Sequence, residues 1–239
     1  MIDNILFLIL ARSGSKSIPD KNIKLLNNKP LLAYRIEQAL ALTNKENVWL
    51  STDSIHYAEI GKKFGATIPY IRPKKLATDT TSSSEVILDI IEYCEKTGKK
   101  YDAVVLLEPT SPFVSNNFLC LAIDKLFNTK DANAIVSTKI IHTNTIFIQE
   151  NNTYLTELFN NLKKVKSIRR QDQKTQITPS GGFYISKWES FKLNKTFYTD
   201  KTLSYLLPDY MALEIDNPID FLWAEFLSNN KQLIKNKNE

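Results

Sequence analysis

The feature of this sequence that most constrains its fold is a regular alternation of short apolar runs with longer amphipathic segments over the first 139 residues. The run Ile5–Leu10 contains no polar residue, which is typical of a parallel strand covered on both faces. From Pro30 to Leu40, apolar residues recur at helical spacing, and proline suits the first turn of a helix. This alternation predicts an α/β fold with a doubly wound, mostly parallel sheet.

The same patterns divide the chain into a domain, an inserted arm and a tail. Residues 1–139 and 179–228 are expected to form the α/β domain, 140–178 a small dimerisation and substrate arm, and 229–239 a frayed polar tail. Strands are predicted at 5–10, 48–51, 67–71, 103–107, 134–138, 183–186, 204–206 and 211–215. Helices are predicted at 30–40, 54–64, 82–97 and 116–127, and from residue 218 onward. In the arm, a hairpin is predicted at 145–149 and 153–155, followed by a polar segment at 163–178.

Composition excludes several kinds of site. Six glycines leave no place for a G-x-G-x-x-G dinucleotide fingerprint or a Walker A loop. Two histidines and two cysteines lack the ligand spacing of a zinc site, and they do not make a disulfide framework. Phosphate chemistry must therefore use a different loop, and metal chemistry must use carboxylates.

Charge and hydropathy bear on the partners. The net charge is +5, but the lysines are scattered and form no basic stripe interleaved with aromatic residues, so we expect no nucleic-acid partner. No apolar run approaches the ~18 residues that a membrane span needs, and the apolar N-terminal run lacks the flanking features of a secretion signal. The expectation is a cytoplasmic protein with no membrane partner.

Ligands of open α/β sheets bind beyond the carboxyl ends of the strands, so the segment after the first strand is the first candidate site. Residues 11–22 read A-R-S-G-S-K-S-I-P-D-K-N. Arg12, Lys16 and Lys21 supply positive charge for a triphosphate. Gly14 permits a tight turn whose backbone N–H groups can hold phosphate oxygens. The alternative interpretation is a solvated surface loop.

Residues 11–34, which continue as I-K-L-L-N-N-K-P-L-L-A-Y, closely resemble the opening of the acylneuraminate cytidylyltransferases, or CMP-sialic acid synthetases. Further matches follow in order: S-T-D at 51–53, R-P at 72–73, L-A-T-D-T at 76–80, E-P-T-S-P at 108–112, R-Q-D at 170–172, S-G-G-F-Y-I at 180–185 and E-I-D at 214–216 with D-F at 220–221. The resemblance covers residues 5–227. Each motif is weak alone, whereas the ordered set is specific.

The resemblance implies a fold like that of the nucleotide-diphospho-sugar transferases and a transfer of CMP from CTP to a nonulosonic, sialic-acid-like sugar. Pyrophosphate is the second product. The residues that match the family's nucleotide site are Arg12, Ser13, Gly14, Ser15, Lys16, Lys21, Asn22, Arg72, Ala77, Thr78 and Ser82. Catalytic roles are expected for Lys21, which is placed to stabilise charge at the α-phosphate, and for Arg12 and Asp216.

The resemblance also implies a sugar site and a homodimer whose arm reaches the partner's site. The residues matched to the sugar site are Glu108, Thr110, Ser111, Arg170, Phe183 and Tyr184. Arg170 could pair with the sugar carboxylate through two parallel hydrogen bonds. The alternative for Arg170 is a solvated side chain in a flexible arm.

A metal site is predicted at the end of the domain. Glu214 and Asp216 alternate along the predicted strand at 211–215, so both carboxylates would project from one face. Hard oxygen ligands of this kind suit Mg²⁺, or Mn²⁺, bridging phosphates. The alternative is that one of the two carboxylates caps the following helix.

Three departures from the family pattern bear on specificity. Glu108 stands where the family commonly has Gln, and an ionised Glu accepts hydrogen bonds but cannot donate them. A substrate other than plain N-acetylneuraminate is therefore expected. Glu214 replaces the family's first Asp, and the family's H-P-x-K appears as H-T-N-T at 142–145, without the lysine. Alternatives left open are a cytidylyltransferase for an octulosonate and a catalytically inactive nucleotide-binding homologue.

Overall fold

The structure is a computed structural model that describes residues 3–141, 175–230 and 232. Its strands are β1 (Ile5–Leu10), β2 (Leu25–Leu26), β3 (Lys29–Pro30), β4 (Val48–Ser51), β5 (Ala103–Leu106), β6 (Ala134–Ile141), β7 (Gln176–Lys187) and β8 (Thr202–Leu206). Its α-helices are α1 (Leu31–Leu40), α2 (Ile55–Lys63), α3 (Ser83–Lys96), α4 (Asn116–Asn128), α5 (Trp188–Asn194) and α6 (Pro218–Asn229). Short 3₁₀ helices lie at Lys21–Ile23, Lys45–Asn47 and Lys74–Leu76.

A six-stranded sheet in the order β4-β1-β5-β7-β6-β8 forms the centre of the described chain. Strand β1 pairs in parallel with β4 and β5, and β6 pairs in parallel with β8. Strand β7 runs antiparallel to both of its neighbours, so it is the one reversed strand of the six. Strands β2 and β3 make a separate small antiparallel pair. The prediction of a mostly parallel sheet is confirmed.

Helices cover both faces of the sheet. Successive residues of a central strand point to opposite faces, and in these strands both sets are apolar. Phe7 and Ile9 of β1 point to the face covered by α1, α2 and α4. Leu6 and Leu8 point to the opposite face, which packs against α3 and α5. All four side chains are fully buried. Burial on both faces explains the unbroken apolar run, and it makes the sheet doubly wound as predicted.

The sheet brings several loops together at the carboxyl ends of its parallel strands. Strands β1, β4 and β5 are parallel neighbours, so their carboxyl ends lie side by side. Strand β7 runs the other way, and its pairing of Tyr184 with Leu106 puts the Gly181–Tyr184 stretch at the same edge. The segments after Leu10, Ser51 and Leu106 therefore converge on the start of this part of β7.

Two predicted strands are wrong. At 67–71 the structure has a single bridge from Thr67 to Trp49, because Pro69 lacks the N–H group that a longer ladder would need. At 211–215 the chain turns instead, and Met211 and Ala212 donate backbone hydrogen bonds to the carbonyl of Pro208. The argument that Glu214 and Asp216 share one face of a strand fails with it.

The predicted arm is described only at its two ends. Residues 140–141 continue β6, and residues 176–178 belong to β7, so the outer parts of the arm's range extend the sheet. The hairpin at 145–149 and 153–155 and most of the polar segment lie outside the described residues. Among the helices that the structure describes, none is long and apolar enough to cross a membrane.

The helix caps allow a matched test of local stability. Ser54 caps α2, and its side chain accepts a hydrogen bond from the backbone N of Tyr57. Ser115 occupies the same position before α4 but makes no capping hydrogen bond with its side chain. We expect Ser54→Ala to lower the free energy of unfolding by about 1 kcal/mol and Ser115→Ala to change it much less. Urea unfolding would measure both, and equal losses would contradict the assignment.

Candidate active site

The main cleft opens at the carboxyl ends of β1 and β5 and has a volume of about 270 Å³. The predicted site residues that line it are Arg12, Ser15, Lys21, Asn22, Arg72, Ser82, Glu108, Thr110 and Asp216. Leu10, Thr81, Ser83, Val86 and Pro109 complete the lining. Residues from the first loop and from the far end of the chain therefore meet in one place.

Part of the predicted nucleotide site lies outside this lining. The residues concerned are Ser13, Gly14, Lys16, Ala77 and Thr78. Thr78 is exposed, and its hydroxyl shares a hydrogen bond with the hydroxyl of Thr81, which does line the cleft. The sequence matched the whole 77–83 segment to the nucleotide site but singled out only Ala77, Thr78 and Ser82, whereas Thr81 and Ser83 also line the cleft.

Hydrogen bonds to other segments hold the first loop in place. The backbone N and the hydroxyl of Ser13 donate to the two carboxylate oxygens of Asp53, at 2.9 and 2.8 Å. The buried side chain of Asn22 donates to the carbonyl of Arg12 at 3.1 Å. Asp53 belongs to the S-T-D motif after β4, and its role is to hold the loop.

Two loop cations share one carboxylate. Arg12 and Lys16 contact Asp79 at 2.7 and 2.5 Å. The hydrogen bonds from Lys16 and Arg12 hold the pKa of Asp79 below its usual value. Because all three side chains are solvent-accessible, these pairs contribute little free energy, and a polyphosphate could displace Asp79 from them. Asp79 was not predicted as a site residue, although it lies in the matched 76–80 motif.

Lys21 joins the first loop to the segment before α6. Its Nζ donates to the carbonyl of Ile215 at 2.9 Å and to the carboxylate of Asp216 at 3.1 Å. Asp20 precedes it in the left-handed backbone region and starts the 3₁₀ helix that carries Lys21 and Asn22. The side chain of Lys21 is only 12% exposed, so its charge is held at the cleft.

Arg72 is buried beside the end of β4. Its Nε donates to the hydroxyl of Ser51 at 3.0 Å, and a terminal nitrogen donates to the Ser51 carbonyl at 2.5 Å. Burial lowers the pKa of Arg72 to about 10, and the nearby carboxylate of Asp53 acts in the opposite direction. Arg72 also lines the main cleft, and a guanidinium held there in one position suits recognition of a planar base edge.

The N-terminus of α3 forms another wall of the cleft. The Ser82 hydroxyl accepts from the backbone N of Glu85, and the Glu85 carboxylate accepts from the backbone N of Ser82, which is a capping box. The capping box occupies the N–H groups of Ser82 and Glu85, so what this wall offers an anion is the partial positive charge of the helix N-terminus.

A side pocket of about 200 Å³ adjoins the main cleft and shares Glu108 and Ser83 with it. Its other lining residues are Ser84, Leu106, Tyr184, Thr196, Phe197 and Tyr198. The ring of Tyr184 lies 5.5 Å from that of Phe197 and 6.5 Å from that of Tyr198. Sequence reasoning missed Thr196, Phe197 and Tyr198; the adjacent aromatic pair was the available signal.

Two residues predicted for the sugar site are placed differently from expectation. Phe183 is fully buried on the opposite face of β7, where its ring lies 5.9 Å from that of Tyr205, so its side chain does not reach either pocket. This corrects the prediction, since neighbouring residues of a strand point to opposite faces. Ser111 is also fully buried, and its hydroxyl has no hydrogen-bond partner in the structure.

Two carboxylates lie close to Gly181 in β7. A Cβ atom at Gly181 would lie 2.8 Å from Glu214 Oε2 and 3.2 Å from Glu108 Oε2, so no other residue fits without displacing them. Burial raises the pKa of Glu108 to about 7, and the charges of Glu214 and Asp216 act in the same direction. Glu214 also contacts Lys139 at 3.1 Å.

The predicted metal ligands fit a cation in their chemistry, although they do not lie on a strand. Asp216 is 71% exposed and lines both the main cleft and an outer cleft of about 480 Å³. Glu214 lines only the outer cleft and not the main cleft. Across the described residues, no group of three or more acidic, His or Cys side chains is arranged to hold a metal. Mg²⁺ in nucleotide sites needs only one or two carboxylates besides phosphate oxygens, so this donor set suffices.

Arg170 and the 142–145 motif lie outside the described residues. The pairing of Arg170 with a sugar carboxylate, and the contact of the arm with a partner subunit, stay predictions.

The raised pKa of Glu108 sets a direction for the pH dependence of stability. The folded protein keeps the proton up to about pH 7, whereas an unfolded Glu releases it near pH 4.5. Folding therefore binds a proton within this window, and the contribution of Glu108 to stability falls as pH rises through it. We expect the free energy of unfolding to fall more steeply for the native protein than for Glu108→Gln. Urea unfolding in metal-free buffer across the window tests this, and parallel slopes would refute it.

Comparisons with known proteins identify the family of this chain. The cytidylyltransferase family model matches residues 6–237. A CMP-N,N'-diacetyllegionaminic acid synthase from Legionella pneumophila is 31% identical over 95% of this chain and 97% of its own length. An N-acylneuraminate cytidylyltransferase from Escherichia coli O18:K1:H7 is 33% identical over 97% of this chain, which spans about half (54%) of that relative.

A solved structure supports the fold. A CMP:2-keto-3-deoxy-manno-octonic acid synthetase complexed with CTP superposes with a TM-score of 0.67, covering 96% of this chain and 100% of that one, at 13% identity. That identity is low, so the likeness bears on architecture alone. The family match over nearly the whole chain confirms the resemblance seen in the motifs. The chain belongs to the cytidylyltransferase family, and it is an enzyme of the CTP-dependent nucleotidyltransferase type.

Proposed function

We propose that this enzyme joins CMP from CTP to the anomeric 2-hydroxyl of a nonulosonic acid and releases pyrophosphate. The observation that carries the proposal is the junction of a cationic main cleft with an aromatic side pocket at Glu108. One compartment suits a nucleotide and the other a sugar substituent. The names of the relatives, which act on legionaminic and acylneuraminic acids, support the same class of substrate.

The main cleft has the groups that CTP requires. Arg12 and Lys21 line it together with the N-terminus of α3, and they would contact the phosphates. Ser13, Gly14, Ser15 and Lys16 complete the loop that would hold the triphosphate, with Asn22 beneath it. Arg72 and the 77–83 segment would recognise the cytosine and ribose. Binding of phosphate would release Arg12 and Lys16 from Asp79.

The chemistry is mainly positioning and charge stabilisation. The sugar hydroxyl attacks the α-phosphorus, a new P–O bond forms, and pyrophosphate leaves. Lys21 is held between the first loop and Ile215, where its ammonium would stabilise the charge that develops on the α-phosphate. Mg²⁺ or Mn²⁺, held by Asp216 with Glu214, would supply neutralisation of the phosphate oxygens when bound.

The sugar is proposed to lie between Glu108 and the side pocket. Thr110 lines the main cleft next to Glu108, and Tyr184 forms an apolar wall of the side pocket. An ionised Glu108 would accept a hydrogen bond from a hydroxyl, amine or amide N–H of the sugar. Arg170 would pair with the sugar carboxylate, and the arm would join two subunits in a homodimer. The enzyme would work in the cytoplasm, the compartment of its nucleotide substrate.

A substrate panel tests the proposed function. Pyrophosphate release would be measured with CTP against sialic, legionaminic, pseudaminic and octulosonic acids, with Mg²⁺ present. The assay would be run at about pH 8, above the pKa of about 7 that burial gives Glu108. We expect turnover with a nonulosonic acid other than N-acetylneuraminate, because the ionised Glu108 can only accept hydrogen bonds at the position where the family commonly has Gln. Highest activity on N-acetylneuraminate would overturn the specificity claim. Preference for the octulosonate, or no turnover with any sugar, would favour the two alternatives.

Asp216 offers a second test. Asp216→Ala should reduce Mg²⁺-dependent turnover by at least about a hundredfold, since the ligand that faces the phosphates is lost. The fold should stay intact because the carboxylate is largely exposed. Asp124→Ala on the exposed side of α4 is the matched control and should keep normal activity. Near-normal turnover of Asp216→Ala would refute the assignment.

A further inference from the structure

Arg35 of α1 is the most unusual charged residue of the described chain, because its guanidinium is fully buried and only partly satisfied. Its exposed fraction is 0%. One terminal nitrogen donates to the carbonyl of Gly182, while Nε and Nη1 have no hydrogen-bond partner in the structure. A buried charge is costly unless another charge or dipole offsets it. No motif of the sequence marks this residue, and the proposed function does not use it.

Glu108 is the acidic group that acts on Arg35. Burial lowers the pKa of Arg35 to about 9, and the Glu108 carboxylate opposes that shift. The two side chains make no ion pair, so the attraction acts across a gap rather than by contact. Gly181 and Gly182 of β7 link the two side chains. Gly182 receives the hydrogen bond of Arg35, and Gly181 lies against the Glu108 carboxylate.

The charges around Glu108 explain why a buried cation is needed there. Glu214 and Asp216 repel its carboxylate, and Arg35 and Lys21 attract it. Lys21 already contacts Asp216 and the Ile215 carbonyl, and in the proposed reaction it faces the α-phosphate. Arg35 is therefore the cation that remains available to Glu108 when CTP is bound.

We propose that Arg35 is a positioning residue for the sugar site: bonded in the interior to the carbonyl of Gly182 in β7, it balances the Glu108 carboxylate and holds that carboxylate at the junction of the two pockets. Glu108 and Arg35 are thus a coupled pair, in which the acid at the position where the family commonly has Gln depends on a cation one layer deeper. The inference rests on the proposed function for its effect on sugar binding. The coupling itself does not depend on any substrate.

A double-mutant cycle without ligand tests the coupling. Thermal or urea unfolding of the native protein, Arg35→Met, Glu108→Gln and the double variant would be compared at about pH 8, above the pKa of Glu108. The double variant should lose clearly less stability than the sum of the two single losses. Arg35→Lys keeps a charge and should keep most of the coupling; it also serves if Arg35→Met does not fold. Additive losses would overturn the proposal.

Gln38 provides the matched control on the same helix. It is buried, and its side chain donates to the backbone carbonyl of Val114 at 2.8 Å, as Arg35 donates to Gly182. Gln38→Met removes a comparable hydrogen bond but no charge. It should destabilise the protein additively with Glu108→Gln. Coupling as large as that of Arg35 would mean that general packing, rather than charge, links the two positions.

Kinetics would test the positioning role. Arg35→Met should raise the KM for the sugar about tenfold while the KM for CTP changes less than about twofold. The reason is that the residues proposed to bind the phosphates of CTP do not contact Arg35. Arg35→Met/Glu108→Gln should behave like Glu108→Gln alone. Equal rises in both KM values would overturn the proposal. If no sugar supports turnover in the native protein, the proposed function fails while the ligand-free cycle still decides whether the pair is coupled.

Discussion

The parallel pairing of β1 with β4 and with β5 is the constraint on which the rest of the site depends. It brings the carboxyl ends of three strands to one edge, and each of these ends continues directly into a loop with polar groups. Because the strands are buried on both faces, a slip in their register would disrupt the close packing of their side chains against the helices. The position of Arg12, Asp53 and Glu108 relative to one another is therefore set by the core.

Charge balance is the second theme of the site. Arg12 and Lys16 of the first loop contact Asp79, and Lys21 contacts Asp216. Each of these three cations therefore has a partner that a phosphate could replace. Glu108 differs because two other carboxylates, those of Glu214 and Asp216, repel it, and the buried Arg35 is the first of the two cations that oppose them. The cations at the solvent side can exchange a carboxylate for phosphate, whereas the charge of Glu108 is offset by a cation fixed in the interior. This arrangement fits a cleft that binds an anionic nucleotide beside an acidic sugar site.

Sequence patterns predicted most of the fold, and failed where a local signal was overruled. The apolar runs of β1, β4 and β5 and the helical spacing of apolar residues in α1 were enough to place those elements. The prediction failed at 67–71, where Pro69 limits the ladder, and at 211–215, where apolar Met211 and Ala212 are buried by a turn rather than by a strand. Burial alone produces the same apolar spacing in both cases, so periodicity could not separate them.

By itself, the sequence determined the α/β alternation, the cationic loop around Arg12 and Lys21, and the ordered motifs of a cytidylyltransferase. Only the tertiary structure decided that Phe183 faces the core, that Phe197 and Tyr198 line the side pocket, and that the buried Arg35 bonds to Gly182, next to the glycine that Glu108 approaches. Strand and loop motifs are local patterns that a linear reading can detect. Contacts between α1, β7 and the loop after β5 depend on how layers pack, and residues far apart in the chain meet only when that packing forms.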